Sequence, residues 1–148
     1  MRNDDYLNRL VGAELTGIGR AADMPWLTFE NDMAVHIQTD AVFLLDGQLV
    51  TKASDVYLET GRPDVGGNRP QTRYDVKAAE LLHSGRIFRL SELYLTPEMG
   101  LSMNFTAGLE IHVFLYPETL PDDEVWRIFE RYSDSPHMVA YKSGIECE

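Results

Sequence analysis

The chain has 148 residues, 44% hydrophobic and 25% charged, and its 13 Lys and Arg against 24 Asp and Glu leave a net charge of −11. One domain spanning 1–148 fits that length, and the acidic balance argues against nucleic acid or a membrane surface as partner. A single cysteine, Cys147, excludes a disulfide scaffold; with neither a signal-peptide core nor an apolar span, a soluble cytoplasmic chain is expected.

Residues 4–11 predict a first helix, with acids at its positive end and Leu7, Leu10 and Val11 on one face. Gly12 closes it. Short β-leaning runs follow at 15–18, 26–30, 33–39, 42–45 and 48–51, separated by turn chemistry. Asp46-Gly47 is the sharpest hairpin signal, because that pair tolerates the positive φ of a tight turn. Gly17-Ile18-Gly19-Arg20-Ala21-Ala22 fits G-x-G-x-x-A, yet Pro25 follows too soon for the helix that a nucleotide site requires. Those glycines instead bend a strand or let a neighbour pack close.

Residues 60–73 predict a long loop, broken by Gly61, Pro63, Gly66, Gly67, Asn68 and Pro70. A second helix is expected at 75–83, with Val76, Ala79 and Leu82 on one face and Gly85 as its stop. Strands return at 87–90, 93–96, 101–106 and 109–116. A third helix is expected from Pro121, since Thr119 and Asp122 have capping-box spacing and Val125, Ile128, Phe129 and Tyr132 form a stripe. A last strand at 138–142 precedes a polar tail.

The two halves resemble each other. Phe29 to Ile37 aligns with Phe105 to Val113: an aromatic, a short turn, then alternating apolar positions with His36 or His112 before the last. Leu10, Leu15 and Ile18 are matched to Leu82, Ile87 and Leu90, with a four-residue slip at 96–100. The expected fold is therefore α+β, a single domain of two pseudo-symmetric helix-plus-antiparallel-sheet halves with an extra C-terminal helix. The halves are placed at about 4–59 and 75–132, joined by a 60–74 linker and followed by a strand and tail at 133–148. Met33, Val35 and Ile37, with Leu109, Ile111 and Val113, should face the interior.

Chemistry-bearing candidates are few. His36, His112 and Glu110 could converge across the pseudo-axis as a ligand site; the plainer reading is two half-exposed strand histidines bonded to neighbours. Arg62, Arg69 and Arg73 could grip an anion or close as a lid, although a solvated connection is simpler. The second half carries 13 acidic against 6 basic residues. Asp122, Asp123 and Glu124 with Trp126 would suit a basic protein partner, against the alternative of an ordinary solvated acidic face. No nucleophile, metal or cofactor motif appears, so no catalytic residue, metal or cofactor is expected.

Leu27-Thr28-Phe29, Asn31-Asp32, Val35-His36-Ile37 and Asp46-Gly47-Gln48-Leu49-Val50 with Ser54-Asp55 resemble small bacterial proteins of unknown function, over roughly 10–57. Some of those are associated with toxin–immunity loci. The resemblance implies a non-enzymatic cytoplasmic protein that occludes a toxin, and no catalytic motif is carried over. The first expectation is thus an acidic binding protein of the immunity type, covering a basic protein. The alternatives are a small-ligand binder or enzyme using His36, His112 and Glu110 under the arginine loop, and a homodimer formed through strand edges or the Phe114/Tyr116 face.

Overall fold

The computed structural model describes residues 3–148. Strands occupy 49% of the chain. The elements run α1 (Asn3–Leu10), β1 (Leu15–Ala21), β2 (Met24–Phe29), β3 (Met33–Ile37), β4 (Asp40–Leu45), β5 (Gln48–Lys52), a 3-10 turn (Ala53–Tyr57), β6 (Glu59–Pro63) and β7 (Pro70–Thr72). There follow α2 (Arg73–Leu82), β8 (Leu90–Leu95), β9 (Leu101–Phe105), β10 (Leu109–Phe114), β11 (Glu124–Glu130), β12 (Met138–Tyr141) and β13 (Gly144–Cys147). One antiparallel sheet has the order β1-β2-β3-β11-β12-β13 and the other β8-β9-β10-β4-β5, while β6 and β7 pair separately.

Period-two alternation decides which side chains meet. Leu27, Phe29, Met33, Val35 and Ile37 point inward from one sheet, and Leu101, Met103, Phe105, Leu109, Ile111 and Val113 from the other; all are buried in one apolar cluster. Phe29 stacks on Phe105 across the interface, ring centroids 6.4 Å apart and planes within 7°. Each such aliphatic or aromatic side chain contributes about 1.5–3 kcal/mol by leaving water. The interior faces expected from the sequence are the interior faces of the fold.

The sheets share a seam and exchange strands. Leu15 pairs with Phe29 and a bulge follows before Gly17–Thr28; Leu90 pairs with Phe105 and a bulge follows before Glu92–Asn104. The Leu15 amide donates to the Phe88 carbonyl and the Leu90 amide to the Ala13 carbonyl, flanking a bridge between Glu14 and Arg89. After β3 the chain crosses into the second sheet as β4, beside β10; after β10 it crosses into the first as β11, beside β3. Each sheet is completed by the other half of the chain.

Helices close the sides. Helix α2 lies against β1, β5 and the 3-10 turn. Its N-terminus is a capping box: the Asp75 amide donates to Thr72 Oγ1, and the Thr72 amide donates to the Asp75 carboxylate at 2.8 Å. The Thr72-x-x-Asp75 spacing signals this start, two residues before the expected one. Helix α1 abuts β8 and reaches the first sheet through the Tyr6 hydroxyl, which donates to the Pro136 carbonyl, and through the Arg9–Glu130 ion pair.

Several expectations are corrected. The stretch expected as a third helix is strand β11. A bulge between Glu124 and Trp126 buries Val125 and Trp126 together, and with Ile128 this reproduces helical spacing on a strand. Strand propensity in Val125, Trp126, Ile128 and Phe129 prevails over the capping-like Thr119 and Asp122. The separate runs at 87–90 and 93–96 are one strand, β8, preceded by an extended approach, and the polar tail forms edge strand β13. The 60–73 stretch is the β6–β7 ribbon rather than an irregular loop. Leu15, matched to Ile87 in the sequence alignment, has Leu90 in the corresponding register, and Ile87 is largely exposed.

The glycines of β1 allow a close approach. A Cβ at Gly19 would lie 2.4 Å from Cζ2 of Trp26, whose indole lies across the strand. Gly19→Ala is expected to cost about 1–3 kcal/mol by forcing that ring aside, measured by urea unfolding. Unchanged stability would mean the indole does not rest there.

Candidate functional site

Where the two crossovers pass one another, neither ladder can continue. The Gln38 amide donates to the Val125 carbonyl, and Thr39 Oγ1 donates to the Phe114 carbonyl at 2.9 Å. Around these two residues the surface is concave. One recess of about 400 Å³ is lined by Asp23, Met24, Pro25, Ile37, Gln38, Thr39, Ala53, Ser54, Val56, Tyr57 and Tyr116. A second of about 400 Å³ shares Gln38, Thr39 and Tyr116 and adds Glu118, Thr119, Asp123, Glu124 and Val125. No lysine, arginine or histidine lines either recess.

Hydrogen bonds fix the polar groups of this cleft. The Tyr57 hydroxyl donates to Asp23 Oδ2 at 3.0 Å. That bond, then partial burial, raises the Tyr57 pKa; burial, then the Asp40 carboxylate, raises that of Tyr116. Both phenols stay neutral at ordinary pH. Asp40 Oδ1 accepts from the Ala41 and Ser54 amides at 2.9 and 3.2 Å, and Asp123 Oδ2 accepts from the Leu120 amide at 2.9 Å. Glu124 is neutralised by Arg127 at 2.6 Å and accepts from Gln38.

Most of the arginines are already committed to ion pairs, and none of those pairs falls on the unpaired carboxylates of the cleft. Arg9, Arg20, Arg69, Arg73, Arg86, Arg89, Arg127 and Arg131 each meet a carboxylate. Among the described residues, no cation pairs with Asp23, Asp40, Glu118 or Asp123 within 4 Å. Exposed Tyr57, Phe114, Tyr116 and Leu120 lie in or beside the same cleft. Aromatic side chains thus stand beside carboxylates that no ion pair neutralises.

The histidines predicted to converge are in different sheets. His36 points outward from the first sheet, its ring edge-on to Phe129 at 4.7 Å; Phe129 in turn stacks on His137 at 4.4 Å. Burial, then Arg127, lowers the pKa of both histidines. His112 lies on the second sheet, with Nδ1 3.0 Å from Ser102 Oγ and Nε2 3.1 Å from Glu110 Oε1. Ser102, His112 and Glu110 match a nucleophilic relay in residue type. They lie across paired strands β9 and β10, however, outside both recesses, and the ladder occupies the peptide groups that an oxyanion would need. Among the described residues, no three His, Cys, Asp or Glu side chains gather to hold a metal ion.

Of the 60–73 arginines, Arg62 and Arg69 line one open recess of about 500 Å³ on the β6–β7 ribbon together with Glu59, and Arg73 does not join them. Arg69 Nε binds Asp64 at 2.9 Å and its Nη1 donates to the Arg20 carbonyl, while Arg73 pairs with Asp55 at 3.3 Å. Arg62 stays exposed on β6. Of the expected partner residues, Asp123 and Glu124 line the cleft and Asp122 is exposed next to them. Trp126 does not belong to that surface: it is 0% exposed, and its Nε1 donates to the Met99 carbonyl at 2.9 Å. The sequence reading missed Asp23 and Tyr57, which arrive from separate segments, and Asp40 buried behind Tyr116. Among the described residues, no helix is long and apolar enough to cross a membrane. Comparison of the chain with protein-family models, curated proteins and solved structures finds no match.

Proposed function

We propose that the chain is a non-catalytic, acidic binding protein whose crossover cleft covers a basic segment of a partner protein, as an immunity-type protein would. The observation carrying this reading is the meeting of three carboxylates without ion partners, Asp23, Glu118 and Asp123, and two neutral tyrosines in one concave site, with buried Asp40 behind them. Partial exclusion of water strengthens attraction for a cation there, and the net charge of −11 steers it in.

The scaffold is best read as two copies of one unit, α1 through β5 and α2 through β12, which exchange their last hairpins. Supporting this are the matching sheet orders, the paired bulges after Leu15 and Leu90, and the reciprocal bonds around Glu14 and Arg89. The cleft then sits where the exchanged connections cross. The first copy crosses in two residues, Gln38 and Thr39; the second has a longer crossing that carries Glu118, Asp122 and Asp123. The acidic rim is an elaboration of one copy.

A fluorescent dodecapeptide of alternating Lys and Ala, with a Glu and Ala counterpart as control, tests the reading by anisotropy. The basic peptide should bind with an affinity that falls as salt rises, while the acidic peptide should not bind. Glu118→Lys with Asp123→Lys should weaken binding about tenfold or more, and Asp134→Lys on the remote β11–β12 connection should not. Equal binding by all these proteins would overturn the assignment.

A further inference from the structure

We infer that the cleft is built for a guanidinium: one arginine side chain of the basic partner, seated between Tyr57 and Tyr116. This rests on the reading of the cleft as a site for a basic protein. The two phenols line one recess and lie close enough for Tyr57 to act on the ionisation of Tyr116. Both remain neutral, so their ring faces are available to a cation and their oxygens keep acceptor capacity. The Asp23 bond holds Tyr57, an otherwise exposed side chain, against the recess.

The lining distinguishes arginine from lysine. Met24, Pro25 and Val56 give an apolar wall that suits the methylene stem of either residue. The head group decides. A lysine ammonium is compact and strongly hydrated, and aromatic walls repay its lost water poorly. A guanidinium is planar and weakly hydrated; it can stack on a tyrosine while its fork donates to Asp23, Thr39 or Ser54 around the rim. No cation lines the recess that holds the two tyrosines; Arg127 and Lys142 reach only the neighbouring one, at Glu124 and the Thr119 carbonyl.

Dye-labelled hexa-arginine and hexa-lysine, titrated by anisotropy against the full chain, test this directly. Hexa-arginine should bind about fivefold or more tighter, the effect of one cation–π contact at a partly desolvated site. Tyr57→Leu and Tyr116→Leu should each bring hexa-arginine down to the hexa-lysine level, while Tyr116→Phe, which keeps the ring, should retain the preference. Tyr57 is 67% exposed, so its replacement leaves the fold in place to be tested. Equal binding of both peptides, unaffected by the leucine variants but lost in Glu118→Lys/Asp123→Lys, would overturn the arginine slot and leave the acidic binding site standing. Binding of neither peptide would overturn both.

Discussion

Trp126→Ala is expected to lower the free energy of unfolding by about 3–5 kcal/mol, the usual cost of emptying a buried aromatic site. The indole is 0% exposed and its Nε1 holds the Met99 carbonyl in the turn between β8 and β9. Met99 has φ +68, a conformation that non-glycine residues seldom adopt, so losing that bond loosens a strained turn as well as opening a cavity. Trp126→Phe should cost less, since most of the volume remains and only the hydrogen bond and part of the ring are lost. Urea unfolding followed by tyrosine fluorescence measures both. A loss below about 1 kcal/mol for the alanine variant would contradict the burial and return Trp126 to the surface role suggested by its acidic neighbours.

Arg20→Ala should be comparably damaging, at about 3–5 kcal/mol, because it leaves a buried carboxylate without its counter-charge. Arg20 Nε and Nη2 reach the two carboxylate oxygens of Asp75 at 2.9 and 2.8 Å, and the side chains are only 7% and 10% exposed. Two of the three remaining guanidinium protons go to the Ala22 and Pro70 carbonyls at 2.7 and 2.8 Å. One side chain thus ties α2, the β1–β2 turn and the β6–β7 ribbon together. Burial alone would raise the Asp75 pKa, but the Arg20 hydrogen bonds, those from Thr72 and the Arg20 charge outweigh it and hold the carboxyl below its ordinary value. A carboxyl depressed on folding stabilises the native state above its unfolded pKa of about 3.9, and that contribution is lost as pH falls through the lower folded value. Asp75→Asn should therefore flatten the pH dependence of stability below about pH 4; an unchanged acid limb would show that the pair carries no linkage.

Local pattern was legible where one rule governed it. Alternation placed Met33, Val35, Ile37, Leu109, Ile111 and Val113 inside, and Asp46-Gly47 forms the expected turn with both φ values positive. The likeness between Phe29–Ile37 and Phe105–Val113 corresponds to two β-hairpins that meet through their phenylalanines. Illegible were features that depend on a second strand. The bulge at Trp126 is a register event against β12, and on paper its buried neighbours look like one helical face. The paired fates of Arg69 and Arg73 depend on Asp64 and Asp55, which no short motif links to them. The cleft was half visible: Asp123 and Glu124 stood out as an acidic run, whereas Asp23, Tyr57 and Tyr116 come from distant segments that only the crossing of the chain between the sheets brings together.

The most direct test of the account is a map of backbone amide shifts as the basic dodecapeptide is added to isotope-labelled protein. The largest changes should fall at 23–25, 38–40, 54–57 and 115–124, the segments that form or border the cleft. Changes centred on the outer sheet faces around His36 or His112, or on the 60–73 ribbon, would contradict it.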